Sequence, residues 1–277
     1  MRDRSAFLLT REQKGPLRRS RLEPQKKIVM TEASSKNPPA PQNNLLRALR
    51  PPDFALLRPH LRQSQARAGQ VLYEPGDEVR YVYFPLDATL LSFRVVLDDG
   101  RAVETAVIGR EGAMAGIVSQ GRLPAFARAE VLREGPLLRI GVEQLEEAKL
   151  KSASVRHLFV RYADCLMAQV FQSVACNAVH SIEQRAAKWL VAATERTSDN
   201  YLPVTQEQFA ALLGVGRTYV SRVMQTLRTR NLIETRRGGI IAVDHKGLNE
   251  LACGCLGAVR RHFEVVLAGA YSNGPGE

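Results

Sequence analysis

The sequence predicts an α+β protein: an N-terminal antiparallel β-roll of the jelly-roll kind, a long helix, and a C-terminal winged helix-turn-helix. Three observations predict it. Residues 66 to 141 break into short runs of valine, leucine, tyrosine and phenylalanine between glycines and prolines, as many short strands do. Residues 151 to 177 place apolar side chains at spacings of three and four, with no proline or glycine between them. Val204 to Thr229 reads as two short helices about a glycine turn.

The chain opens on a basic stretch. Residues 1–43 hold ten Lys/Arg against four acids and run into SSKNPPAPQNN (34–44), a linker composition, so a disordered tail is expected. The stretch lacks the apolar core and cleavage site of a targeting peptide. Met30, followed by Thr-Glu-Ala-Ser-Ser, resembles an ordinary start, and translation is expected to begin there with residues 1–29 dispensable. The competing reading is a basic arm that adds nonspecific phosphate contacts.

The β-roll domain is expected over 44–150. A short helical segment from Leu45 to His60 precedes strands at VYFP, ATLLSFRVVL, AVETAVIG, RAEVL and LLRIG, with Asp99-Gly100 as a hairpin turn. A barrel of this kind could house a metal-dependent enzyme, but its five histidines (60, 157, 180, 245, 262) all lie outside residues 66–141. No nucleophile elbow, phosphate loop or kinase signature occurs, so no catalytic residues and no catalytic metal are expected.

A dimerisation helix is expected over 151–178, about 40 Å long at 1.5 Å per residue. Val155, Phe159, Tyr162, Leu166, Val170 and Ser173 form its apolar stripe, widened by Leu158, Met167 and Phe171. Pairing of two copies would bury the stripe, and packing against the same chain is the alternative. Residues 179–265 form the DNA-binding domain in this reading, with 266–277 a flexible tail. Trp189 is expected as a core anchor, and Asp244 as the cap of a last helix holding Leu248, Leu251 and Leu256.

Within that domain Thr205 and Gln208 have capping-box spacing before a helix that buries Phe209, Leu212 and Leu213. Gly214 supplies the turn. A second helix from Arg217 to Thr229 buries Val220, Val223, Met224 and Leu227 and turns Arg217, Thr218, Ser221, Arg222 and Arg228 outward. In such a pair the second helix enters the major groove of DNA, where arginine donates two bonds to guanine O6 and N7. Arg217, Thr218, Ser221 and Arg222 are the expected base contacts. Thr205, Arg236 and Arg237, the last two on a wing turn, are expected at phosphates. The six arginines of residues 201–239 face only Glu207 and Glu234, and the whole chain carries a net charge of +11. Both suit a polyanion. No run approaches the ~18 apolar residues of a membrane span, and four cysteines make no disulfide framework, so a reducing cytoplasm is expected.

The order of these parts, with TQEQFAALLGVGRTYVSRVMQTLRTRNLI at its centre, resembles the Crp/Fnr family of bacterial transcription regulators across residues 44–265. The resemblance implies a cyclic-nucleotide-binding-like β-roll that senses a signal, a homodimer on a near-palindromic operator, and RNA polymerase as a further partner. It matches Arg217 and Arg222 to the family's reading arginines and Ser221 to a serine used in part of it. Thr218 stands where many members carry glutamate. The implied effector pocket is Gly109, Glu111, Gly112 and Met114 of GREGAMAG with Arg128 of PAFARAEV. Its phosphate and ribose motifs are damaged, so no cofactor is predicted and a cyclic nucleotide is not expected. An iron–sulfur cluster of the family's N-terminal design is excluded, because no cysteine precedes Cys165. Cys165 and Cys176 read as small buried residues, and Cys253-Gly254-Cys255 as too few ligands for a closed zinc site. The reading from another class is a ligand-binding module that acts through protein partners, its helix-turn-helix used only for packing.

Overall fold

The structure is a computed structural model that describes residues 42–99, 102–115, 123–197 and 200–268. The tail up to Pro41, the expected start at Met30, Gly100 and the residues after 268 lie outside that description. Helices α1 (Asn44–Arg47) and α2 (Pro51–Leu57) come first. Asn43 is fully buried; its side-chain oxygen accepts from the Leu46 N–H, and its amide donates to the carbonyls of Pro85 and Gly112 at 3.0 and 2.8 Å. The expected tail is therefore corrected at residue 43, whose amide satisfies two otherwise buried acceptors.

The β-roll follows as β1 (Arg62–Ala66), β2 (Val71–Tyr73), β3 (Tyr81–Pro85), β4 (Leu90–Val96), β5 (Ala102–Ile108), β6 (Arg128–Arg133) and β7 (Gly135–Gly141). They form two antiparallel sheets, ordered β1-β7-β3 and β2-β6-β4-β5. Tyr83, Leu91, Ile108, Met114, Val131 and Leu137 fill the space between them. Val96 pairs with Ala102, so the chain reverses across the expected hairpin. Strand β1, RQSQA, is not among the expected strands because its run of polar residues leaves no apolar pattern to read.

Helices α3 (Val142–Lys151) and α4 (Ala153–Val179) are separated by Ser152, whose hydroxyl caps α4 through the Val155 N–H at 3.2 Å. Val155, Phe159 and Tyr162 are buried in the same core as Leu45, Phe84 and Leu145, and Phe84 meets Phe159 edge-on at 6.2 Å between ring centres. This corrects the expected pairing stripe at those three positions: the β-roll of the same chain covers them. Leu166, Val170 and Ser173 are half-buried. The apolar row left open is Val160, Met167, Phe171 and Val174, at 56, 50, 66 and 65% exposure.

The remaining elements are α5 (Ile182–Thr197), β8 (Tyr201–Leu202), α6 (Gln206–Leu213), α7 (Arg217–Thr229), β9 (Ile233–Arg236), β10 (Gly239–Ala242), α8 (His245–Leu251) and α9 (Cys255–Val266). A small sheet, β8-β10-β9, packs against α5 and α7. Asp244 caps α8 through the Gly247 N–H at 2.9 Å, but the expected single last helix is two, broken at Ala252–Gly254, so that Leu256 belongs to α9. Helix α9 folds back on α4, where Phe263 meets Tyr162 at 6.5 Å and His262 bonds Asp164 at 2.9 Å. Leu267 is buried, so the chain stays packed past the expected tail boundary at 266. No described helix is long and apolar enough to cross a membrane.

Candidate nucleic-acid interface

The interface is built by local chemistry. Thr205 accepts the Gln208 N–H at 3.1 Å, and the Gln208 side chain accepts the Thr205 N–H at 2.9 Å, which fixes the start of α6. Gly214 ends α6 at φ +66, a left-handed conformation that a side chain would strain. Helix α7 then buries Val220, Val223, Met224 and Leu227 against α5, α6 and the small sheet. By the helical period, Arg217, Thr218, Ser221 and Arg222 fall on the opposite face, and all four are exposed.

Arg217 forms an ion pair with Glu207, and the Ser221 hydroxyl lies 3.0 Å from the Arg217 carbonyl and 3.3 Å from the Gln206 side chain. The Arg222 guanidinium has no side-chain partner among the described residues. Arg228 bridges from α7 to Thr235 of β9 at 3.4 Å, setting the wing against the helix. Arg236 and Arg237 are exposed at the wing turn, which Gly238 closes at φ +80. Thr205 is exposed at the N-terminus of α6, where backbone N–H groups and the helix dipole favour an anion. Tyr219, half exposed beside Thr218, adds a hydroxyl to this face that the helical pattern alone does not single out. A shallow, basic, hydrogen-bonding ridge results.

A family model for the Crp-like helix-turn-helix domain matches residues 184–251. That stretch is similar to the Crp-like helix-turn-helix domain. Solved structures share the fold over a longer stretch. FixK2 from Bradyrhizobium japonicum superposes with a TM-score of 0.59 at 16% identity, over 69% of this chain and 96% of that one. A CRP-family transcriptional regulator from Thermus thermophilus gives 0.58 at 20% identity, over 68% and 95%. The c-di-GMP-responsive global regulator CLP from Xanthomonas campestris gives 0.58 at 14%, over 70% and 100%. At these identities the likeness shows a shared fold. No curated protein matches the chain.

The Crp-like domain is docked on the β-roll by Leu90, Val107 and Leu132, which share its apolar core, and by polar contacts. Trp189 of α5 stacks edge-on with Phe209 and donates its indole N–H to Glu104 of β5 at 2.8 Å. Ser92 donates to the other carboxylate oxygen at 3.0 Å. Glu104 is half-buried as a residue, but its carboxyl is enclosed, and that burial raises its pKa to about 7 against the pull of Trp189, Ser92, Arg94 and Arg196. Arg196 reaches Glu111 at 2.7 Å in a pair buried on both sides.

The expected effector residues make contacts of their own within the chain. Glu111 is held by Arg196 and by the Gly109 N–H at 3.1 Å. Gly109 and Gly112 are sites of close approach: a Cβ would lie 3.0 Å from Arg196 Cβ at the first and 2.2 Å from the Tyr162 hydroxyl at the second. Met114 is buried between the sheets, and Arg128 bonds Glu74 at 2.8 Å. A hollow in the roll is lined by Tyr73, Val79, Phe93, Leu123, Phe126 and neighbouring alanines, with no charged side chain among the described residues of its lining.

The four cysteines are free thiols, and three of them meet. Cys176, Cys253 and Cys255 cluster with His180, all four ligand atoms within 4.8 Å of one another. The expectation that Cys253-Gly254-Cys255 lacks enough ligands is thus corrected: the end of α4 supplies two more. The signal that could have found them is the spacing Cys176-x-x-x-His180, one helical turn apart. Cys165 stands apart in the core of the β-roll side.

Proposed function

We propose that the chain is a sequence-specific, DNA-binding transcription regulator that works as a homodimer on a near-palindromic operator. The observation that carries this is the exposed face of α7, on which Arg217, Thr218, Ser221 and Arg222 stand opposite a fully buried apolar face. A packing-only helix pair would have no reason to segregate its cations so. Arg217, Thr218, Ser221 and Arg222 contact base edges; Thr205, Arg236 and Arg237 contact phosphates. The ion pair of Arg217 with Glu207 is no obstacle, because both groups are about 70% exposed and such pairs are worth about 0–1 kcal/mol. No catalytic role is assigned to any residue.

Dimerisation is supported by the open row Val160, Met167, Phe171 and Val174 on α4. Pairing along it would set two copies of α7 about 34 Å apart, one turn of duplex. The β-roll is the sensory part in this reading. Its apolar hollow suits a small, weakly polar effector better than a cyclic nucleotide, whose phosphate would need Arg128 freed from Glu74. Calorimetric titration tests that point: cyclic AMP and cyclic GMP should give no heat, and micromolar binding abolished by Arg128→Ala would refute it.

The function itself is tested by selecting bound duplexes from a random DNA pool with the full chain. A recurring two-fold-related motif is expected. Recovery of no motif, with binding only to proteins, would favour the module that acts through protein partners.

A further inference from the structure

We infer that Cys176, His180, Cys253 and Cys255 form a binding site for a single tetrahedral zinc-class ion, placed at the hinge where the long helix hands over to the Crp-like domain. The inference stands on the side-chain cluster alone and does not depend on DNA binding.

Four ligand atoms converge from three places in the chain. Cys176 lies on the last turn of α4, His180 is the residue that ends it, and Cys253 and Cys255 flank the break between α8 and α9. Cys176 Sγ stands 3.5 Å from Cys253 Sγ, and Cys255 Sγ stands 3.6 Å from His180 Nδ1. With Zn–S bonds of about 2.3 Å, the ligands of a tetrahedral site lie roughly 3.8 Å apart. These two spacings match that edge length to within a few tenths of an ångström, and all four ligand atoms lie within 4.8 Å of one another. They leave no room for the iron and sulfide atoms of a cluster, which would spread the cysteines farther apart. Three soft sulfurs and an imidazole nitrogen in this geometry select zinc over magnesium or calcium, which take oxygen ligands.

The surroundings complete the site. Lys188 Nζ donates to Cys176 Sγ at 3.3 Å and Gln172 Nε2 to Cys255 Sγ at 3.1 Å, the N–H contacts that orient and stabilise ligating thiolates. Three thiolates around a divalent ion leave one negative charge, which the Lys188 ammonium balances. The three cysteines are nearly inaccessible and pack on one another apart from the apolar cores, so hydrophobic burial alone does not account for their meeting. The break at Ala252–Gly254 that interrupts the expected last helix is what turns both Cys253 and Cys255 toward α4. An ion here ties α4, the residue that starts the turn into α5, and α9 into one unit, and so fixes how the Crp-like domain leaves the long helix.

The test uses the full chain, purified under reducing conditions and stripped with a chelator. Titration with Zn2+, read by metal analysis after desalting, should restore about one ion per chain. Co2+ in its place should give the intense visible bands of a tetrahedral site and sulfur-to-cobalt charge transfer. Cys253→Ser and Cys176→Ser should lose most of both signals. Cys165→Ala, outside the cluster, should keep them, and Cys255→His, which preserves a ligand, should retain the ion with a shifted cobalt spectrum. The inference is overturned if the folded wild-type chain takes up less than about one-fifth of an equivalent. It is equally overturned by an octahedral cobalt spectrum, by loss in Cys165→Ala equal to that in Cys253→Ser, or by a Cys176–Cys253 disulfide that persists under reductant and excludes the ion.

Discussion

At the scale of single residues, exposure and partnership sort the arginines into roles. Arg222 projects from the middle of α7 with no side-chain partner among the described residues, so it is available for a bidentate bond to a guanine. Arg222→Ala should weaken binding to the selected operator by about 1–3 kcal/mol and relax preference at one base pair. Arg237, on the wing turn, should behave differently. Its replacement by alanine should weaken operator and random duplex alike and reduce the slope of log affinity against log salt by about one charge. Fluorescence anisotropy over a salt series on both duplexes reads the two variants together. Equal losses on the two duplexes for both variants would contradict these roles.

At the scale of elements, α4 has two apolar faces with different fates. Val155, Phe159 and Tyr162 hold the β-roll, whereas Met167 and Phe171 face outward and are half or more exposed. Phe171→Asp should therefore shift the protein from dimer to monomer in sedimentation equilibrium and leave the monomer folded, its melting temperature lowered only by the lost association and no longer dependent on protein concentration. Phe159→Asp should instead unfold it. The contrast shows what is legible in the sequence. Periodicity marks α4 as a helix that buries a stripe, but it cannot say which partner covers which side. The helix-turn-helix is legible throughout, since Thr205, Gln208, Gly214 and the α7 pattern act on neighbours within a few residues. The cysteine cluster is not, because Cys176 and Cys253 are 77 positions apart and meet only through the packing of α9 on α4. The close approach of Arg196 to Gly109 and of Tyr162 to Gly112 is illegible for the same reason, since both side chains come from distant helices.

At the scale of the whole molecule, the β-roll and the Crp-like domain share a seam that is sensitive to charge. Glu104 has a folded-state pKa of about 7 against an ordinary 4.5. Between those values the folded chain holds a proton that the unfolded chain has released. The stabilisation is therefore complete below pH 4.5, declines as pH rises toward 7, and is lost above it, by an amount on the order of 3 kcal/mol. Glu104→Gln should remove this dependence and raise the melting temperature above pH 7 relative to the parent, as read by calorimetry across that range. Beside it, the buried pair Arg196–Glu111 couples the same two parts. Arg196→Ala strands a buried carboxylate and should cost roughly 3–5 kcal/mol.

That α7 is the surface that reads DNA is tested most directly by the affinity of the full chain for its selected duplex, measured against a scrambled competitor at about 0.15 M salt. The molecule described here should prefer the selected duplex by at least about a thousandfold, and the preference should collapse in Arg217→Ala/Arg222→Ala. Equal affinity for both duplexes, or a preference that survives the double replacement, would contradict it.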